Sequence, residues 1–260
     1  MRLNNQTAIV TGGGQGIGQQ ISLRLAQEGA NVIIADINRE GSEETAKVIS
    51  EKYGRKAQVI QTDVTNEGSV ADMVRAVLQA SDSIDILVNN SGIAGPVKAV
   101  EEIDLKEWEA TMSVNLSGMF LCCKYVIPVF KKQSRGTIIN IASVTGKRAL
   151  PLRTPYAASK MGVIGFTRTL AAEVGKWKIR VNAVCPGAVT GDRQKVVFEG
   201  IMKHSGKSWD EVVAERSANS PLNTLIDPQY VAAVVSFLCT DDANMMTGQD
   251  INVSAGSLMY

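Results

Sequence analysis

Two residues one helical turn apart carry the clearest chemistry in this chain: Tyr156 and Lys160, within Thr154-Pro155-Tyr156-Ala157-Ala158-Ser159-Lys160. At positions i and i+4 of a helix they project from one face. A phenol is a poor base near neutral pH, but an ammonium one turn away favours its phenolate, which can take a proton from an alcohol or return one to an alkoxide. Upstream, Asn140-Ile141-Ala142-Ser143 closes an apolar run, and Ser143 can hold the reacting oxygen by a hydrogen bond. Singly, each residue reads as ordinary: a turn serine, a packing aromatic, a solvated lysine. At this spacing together they form an acid/base set. The helix carrying them should start with Thr154 as N-cap and Pro155 at the first helical position.

A second constellation lies near the amino terminus. Thr11-Gly12-Gly13-Gly14-Gln15-Gly16-Ile17-Gly18 follows an apolar run and opens an amphipathic one. Glycines at a strand-to-helix turn let the backbone approach a pyrophosphate, whose charge meets unpaired N–H groups and the positive end of the helix dipole. The spacing Gly12-x-x-x-Gly16-x-Gly18 differs from the commoner G-x-G-x-x-G fingerprint. Asp36 closes the next apolar run, with Ile37 beside it; its carboxylate can accept from both hydroxyls of an adenosine ribose and would repel a 2′-phosphate. Gln15 stands where a cation would help to bind NADP. NAD is therefore favoured, with Arg39 near enough in sequence to leave NADP use open. A hydride would pass between substrate carbon and nicotinamide while Tyr156 moves the proton.

Both sets need a frame. Val- and Ile-rich runs at Thr7 to Thr11, Asn31 to Asp36, Gln58 to Gln61, Ile84 to Asn89, Thr137 to Ile141, Ile179 to Val184 and Ile251 to Val253 read as strands, with segments of helical period between them. Near-continuous apolar strands joined by helix-length crossovers imply a parallel sheet covered on both faces, the doubly wound α/β class, as one domain over residues 1–260. The stretch 190–221 breaks the rhythm and reads as a substrate-binding lid with short helices or as a disordered insert.

Composition excludes several alternatives. Lys and Arg number 27 against 26 Asp and Glu, so no global field attracts nucleic acid or anionic lipid. No apolar stretch reaches the ~18 residues that span a bilayer, and the first residues lack a leader-like apolar core, so a cytoplasmic protein is expected. Cys122, Cys123, Cys185 and Cys239 lack metal or redox spacing and read as buried reduced thiols. His204, the only histidine, reads as a solvated loop residue, so neither a metal site nor a Ser-His-Asp triad is expected. The segment Gly200 to Ser208 ends like a phosphate-binding loop, but its glycine spacing is wrong and no strand precedes it.

The set as a whole strongly resembles the short-chain dehydrogenase/reductase family over essentially the full chain. The resemblance rests on Thr11 to Gly18, Asp63-Val64, Asn89-Asn90-Ser91-Gly92, Asn115, Ser143, Tyr156, Lys160 and Asn182-Ala183-Val184-Cys185-Pro186-Gly187. It implies a Rossmann fold, with Asp63 and Val64 flanking the adenine and Asn90, Ser91 and Gly92 lining the cofactor. Pro186, Gly187, Val189 and Thr190 would lie near the carboxamide. It assigns Asn115, inside a long helix, to a water that links Lys160 to solvent. It also implies a homotetramer paired through the helices of Met112 to Lys131 and of Tyr156. Ser91 stands where the family usually has alanine, and Thr190-Gly191 reverses a usual order.

Substrate choice should rest on Val144 to Leu152, on Gly92 to Val97 and on the lid, which border the carboxyl ends of the strands. Lys147, Arg148, Arg153 and Arg193 concentrate positive charge there and hint at a polar substrate with anionic character. The glycine turn, lid length and Gln249-Asp250-Ile251-Asn252-Val253 resemble family members acting on polyols, sugars and related hydroxy compounds. The runner-up is a 3-oxoacyl-carrier-protein reductase using NADPH, and a distant third is a non-catalytic NAD-binding scaffold.

Overall fold

The computed structural model describes residues 1–260. The predicted strands are β1 (Thr7–Thr11), β2 (Asn31–Asp36), β3 (Ala57–Gln61), β4 (Ile86–Asn89), β5 (Gly136–Ile141), β6 (Ile179–Pro186) and β7 (Asp250–Val253). All pair in parallel in one seven-stranded sheet of order β3-β2-β1-β4-β5-β6-β7. Expected bounds shift by a residue or two. β4 begins at Ile86 instead of Ile84, and β6 runs on to Pro186 because Cys185 and Pro186 still pair with Asn252 and Val253 of β7.

The helices are α1 (Gly16–Gln27), α2 (Arg39–Tyr53), α3 (Glu67–Ala80), α4 (Leu105–Met112), α5 (Gly118–Gln133), α6 (Thr154–Val174), α7 (Asp192–Ser205), α8 (Trp209–Ala218) and α9 (Pro228–Cys239). The period-two alternation of the strands sorts them into two layers. Ala8, Val10, Val32, Ile34, Ile86 and Val88 join Ile21 and Leu25 of α1, Ile49 of α2 and Val231, Val235 and Leu238 of α9. On the other face Ile9, Ile33, Leu87, Ile138 and Val181 meet Val70 and Val77 of α3, Val126 and Phe130 of α5 and Leu170 of α6. Each fully buried aliphatic side chain contributes roughly 1.5–3 kcal/mol of transfer free energy.

Polar groups inside the sheet are bonded in series. Asn89 Nδ2 donates to Asn140 Oδ1 at 2.8 Å, and Asn140 Nδ2 donates to Thr167 Oγ1 at 2.9 Å, which ties β4, β5 and α6 in one orientation. All four cysteines are free and buried; burial pushes the Cys122 thiol up to about 12, so no reactive thiolate forms there.

Of the two forms expected for 190–221 the structure has the short helices, α7 and α8, joined by an edge-to-face contact between Phe198 and Trp209 at 5.4 Å and started at α8 by a Ser208–Glu211 capping box. Two expectations change. His204 is not in a loop but in the last turn of α7, its Nε2 3.0 Å from the Val97 carbonyl. Leu105–Gln133 runs as one helix because a π-turn at Ser113–Ser117 joins α4 to α5, and it is long and apolar enough to cross a membrane by length and composition. The sequence places Asn115 inside a long helix but was expected to hold no apolar stretch of that length; Cys122, Cys123, Val126 and Phe130 on its inner face pack on the sheet.

The join between β1 and α1 is the tightest in the molecule. A Cβ on Gly18 would lie 1.9 Å from the Gly12 carbonyl oxygen and 2.4 Å from Asn90 Nδ2, neither of which can move without breaking the β1–β4 seam. Replacing Gly18 with Ala therefore costs at least ~2 kcal/mol of unfolding free energy, read from the urea midpoint. An unchanged midpoint would show that the turn is not under this constraint.

Candidate active site

Strand order reverses direction at β1, whose neighbours are β2 on one side and β4 on the other. At such a switch point the connections leave the sheet in opposite directions and open a crevice beyond the carboxyl ends of the strands. The crevice here is a cleft of about 410 Å³. Asn90 holds its mouth together: Nδ2 donates to the Thr11 and Gly12 carbonyls at 3.0 and 2.9 Å, while Thr11 Oγ1 accepts from the Asn90 and Ser91 amides at 3.0 and 3.1 Å.

Every predicted cofactor residue is on the cleft wall except Gly14 and Lys160. Gly14 lies behind it, its amide donating to Asp36 Oδ2 at 2.9 Å; Asp36 Oδ1 accepts from the Asn38 amide at 3.0 Å. This clamp holds the carboxylate in place at 7% exposure, with lone pairs left for two more donors. Gly16, Ile17 and Gly18, the first residues of α1, face the cleft, and Gln15 caps the helix without a side-chain bond. The unpaired N–H groups of α1 therefore meet an anion entering the cleft, so the site fits the pyrophosphate of a dinucleotide. Thr62, Thr65, Val114 and Ile141 also line it. Sequence reasoning passed over them because nothing in their type or spacing signals a ligand.

Thr190 is on the wall, but its Oγ1 is directed at the Ile226 carbonyl, 3.4 Å away, and its amide bonds the same oxygen, because Val189 and Ile226 form a short parallel bridge. Asp63 spends one carboxylate oxygen on the Thr65 amide and hydroxyl at 2.9 and 2.7 Å.

At its far end the cleft meets a smaller recess, and the residues shared by both walls are Ser143, Tyr156, Gly187, Arg193 and Gln194. Ser143 Oγ accepts from the Thr145 amide at 3.1 Å and its proton has only a long contact to the Pro186 carbonyl at 3.5 Å, so the hydroxyl is available to a ligand oxygen. Tyr156 sits in the first turn of α6. The helix starts one residue earlier than expected: Arg153 is the N-cap and Thr154 the first helical residue. The Arg153 side chain makes no capping bond; it donates to the Ala94 carbonyl at 2.9 Å and lies over the Tyr156 ring at 4.7 Å from its centroid.

Lys160 is not on the wall. It is 2% exposed, and its Nζ donates to the Ile141 carbonyl at 2.7 Å, 5.7 Å from the Tyr156 ring centroid. Asn115 lies in the π-turn, not in an unbroken α-helix. Its side chain accepts from the Ile93 amide at 2.7 Å and donates to the Ile93 carbonyl and Ser159 Oγ, each at 3.1 Å. That bonding anchors the segment after β4 and sets Gly92 against Asn115 and Lys160.

Residues 12–257 match the family model described as enoyl-(acyl carrier protein) reductase. The 3-oxoacyl-(acyl-carrier-protein) reductase of Chlamydia trachomatis is 36% identical over 254 residues, covering 98% of each chain. This chain belongs to the short-chain dehydrogenase/reductase family. Among solved structures of the family, NAD+-bound xylitol dehydrogenase superimposes with a TM-score of 0.95 at 30% identity, covering 98% of this chain and 100% of that one. An actinorhodin polyketide ketoreductase variant with NADPH gives 0.95 at 34% identity, covering 98% of both chains. The chain is thus an oxidoreductase of this family, in the fold the sequence implied.

The four cations expected around the substrate separate. Lys147 is turned away from the recess: it pairs with Asp250 and donates to Asn252 Oδ1 at 2.8 Å, fastening β7. Arg148 and Arg153 line the recess, and Arg193 lines both recess and cleft. Sequence reading missed Arg216 of α8 and Ser254 and Ser257 beyond β7, all on the recess wall. Arg216 falls inside the expected lid, but its facing is set by α7–α8 packing.

Burial pushes the Lys160 ammonium from its ordinary 10.5 down to about 7, with Arg193 adding repulsion and Cys185 opposing it. The folded protein thus binds this proton less well than the unfolded chain. Stability rises with pH between 7 and 10.5 through this group, and below pH 7 the whole penalty is present. Lys160→Met should therefore raise unfolding free energy at pH 6–7 by an amount on the order of a few kcal/mol, and the gain should vanish toward pH 10. Urea titrations across that range check it; a gain independent of pH would mean that ordinary packing is responsible.

Proposed function

We propose that the protein is an NAD-dependent oxidoreductase that interconverts a secondary alcohol and a ketone in a small polar hydroxy compound of the polyol, sugar or hydroxy-acid type. One observation carries this reading: Ser143 and Tyr156 both stand where the cleft and the recess meet, so that a substrate in the recess would lie beside both residues and the cofactor cleft.

When bound, the nicotinamide supplies hydride chemistry at the substrate carbon. The chain does the rest. Tyr156 exchanges the proton with the substrate oxygen, and Ser143 donates a hydrogen bond that grows stronger as charge develops there. Lys160 behind the ring and Arg153 over it bring two cations beside the Tyr156 ring. A buried cation with only a carbonyl for company is costly, and a neighbouring anion offsets part of that cost.

NAD over NADP is supported at Asp36. The carboxylate is held by two backbone amides, and Arg39 turns outward to Glu43 at 2.7 Å, leaving Arg193 as the single cation on the cleft wall. Xylitol dehydrogenase, NAD+-bound in its structure, is consistent with this reading. The second reading, reduction of a 3-oxoacyl group on acyl carrier protein with NADPH, draws on the name of the Chlamydia relative. A scaffold without activity has no need of an intact Ser143, Tyr156 and Lys160 set. In the substrate reading, α7 and α8 form the lid over the recess.

Tyr156→Phe should lower turnover by at least ~100-fold while NADH binding, followed by fluorescence, stays within about twofold. Retained turnover would remove the phenol from the mechanism. Wild type should prefer NADH to NADPH in initial rates, and Asp36→Ala should narrow the ratio by about tenfold or more. A wild type that prefers NADPH would favour the acyl-carrier reading.

A further inference from the structure

The recess collects cations without any anion to match. Arg148, Arg153, Arg193 and Arg216 all line it, from the loop after β5, the start of α6, α7 and α8. None forms an ion pair with a carboxylate, whereas Lys147 nearby is paired with Asp250. Arg148, Arg153 and Arg193 each spend one nitrogen on a backbone carbonyl, of Ser257, Ala94 and Gly92 respectively, at 2.7–3.0 Å. Arg216 makes no hydrogen bond at all among the protein's side-chain contacts. Each guanidinium carries five donors, so most are unspent.

These groups are also held close. Arg153 is 5% exposed, and its Nε is buried without a partner. Burial lowers Arg153, and the charges of Arg216 and Arg193 lower it further; Arg216 is lowered by burial and then by Arg148. Glu215, the carboxylate whose charge acts on Arg216, is exposed and engaged by Lys207. Converging guanidinium groups repel one another in a partly desolvated recess, and an arrangement of that kind is stabilised by an anion that bridges them.

We infer that the recess is an anion subsite: the substrate carries a carboxylate or phosphate, which Arg148, Arg153 and Arg216 bind while its carbinol carbon stays at Ser143 and Tyr156. Arg216 is the specificity-determining residue of this set, since it has no structural bond to keep. Arg193, which spans recess and cleft, closes the anion off from the cofactor side. The inference rests on the functional reading above for the position of the reacting carbon, but the charge requirement stands on the recess alone.

The test uses matched pairs that differ in charge: D-gluconate against D-sorbitol, and glycerol 1-phosphate against glycerol. Each is titrated calorimetrically into the full-length enzyme saturated with NADH, and NADH binding is measured separately. In each pair that binds, the anion should bind tighter by roughly tenfold to a hundredfold, and Arg216→Gln should abolish most of that difference while leaving NADH affinity unchanged. Preference for gluconate alone identifies a carboxylate, and preference for glycerol 1-phosphate alone a phosphate. Equal binding within both pairs, no measurable binding of either anion, or an anion preference that survives Arg216→Gln and Arg148→Gln would overturn the inference. Failure of NADH itself to bind would instead overturn the functional reading, whatever the anions do. Circular dichroism and the urea midpoint of Arg216→Gln confirm that the variant is folded.

Discussion

The whole site hangs on one close approach of backbone to backbone. The Gly12 carbonyl sits against the Cα of Gly18, and the Asn90 amide bridges Gly12 and Thr11 from the next strand. Only because no side chain intervenes can α1 start immediately beyond β1 with its free N–H groups facing the crevice. The same seam separates the two halves of the sheet, so the constraint that prepares an anion site also opens the cleft. Asp36 is part of it, since its carboxylate clasps the Gly14 amide from β2 and holds the turn closed. The carboxylate proposed to read the cofactor ribose is therefore also a structural support of the turn.

A second theme is charge left without a partner. Lys160 is buried against a carbonyl, and four arginines face a recess with no carboxylate in it. Elsewhere several cations are paired, Lys98 with Glu107, Lys124 with Glu67 and Lys207 with Glu215 among them. A buried cation without a partner costs stability, and like charges gathered in one recess repel one another unless an anion is bound there. At the arginines the proposed substrate anion would supply that opposite charge.

The α7–α8 pair, proposed as the lid, joins the two themes. α7 and α8 are anchored by Val197, Phe198 and Val212, yet most of their remaining surface is polar and exposed. Few apolar contacts hold them compared with the helices on the sheet, which places this pair at the lower end of local stability. Arg193 and Arg216 ride on these helices, so the position of the lid and the gathering of positive charge are linked.

Much of the molecule could be read from local pattern. Strand alternation, crossover-length helices and the Gly12 to Gly18 turn are short-range signals, and they led to the sheet, the cleft and its cofactor wall with bounds off by a residue or two. Tyr156, Lys160 and Ser143 were legible because helix periodicity and strand ends place side chains by simple geometry. What tertiary packing alone decided is where long, flexible cations go. Lys147, Arg148, Arg153 and Arg216 look alike as residue types, and their stems reach several directions from one Cα. Asp250 on the distant β7 captured Lys147, the Ala94 carbonyl and the Tyr156 ring fixed Arg153, and contact between α7 and α8 turned Arg216 inward. No local spacing encodes those choices, since each depends on which partner the fold brings within a few ångströms.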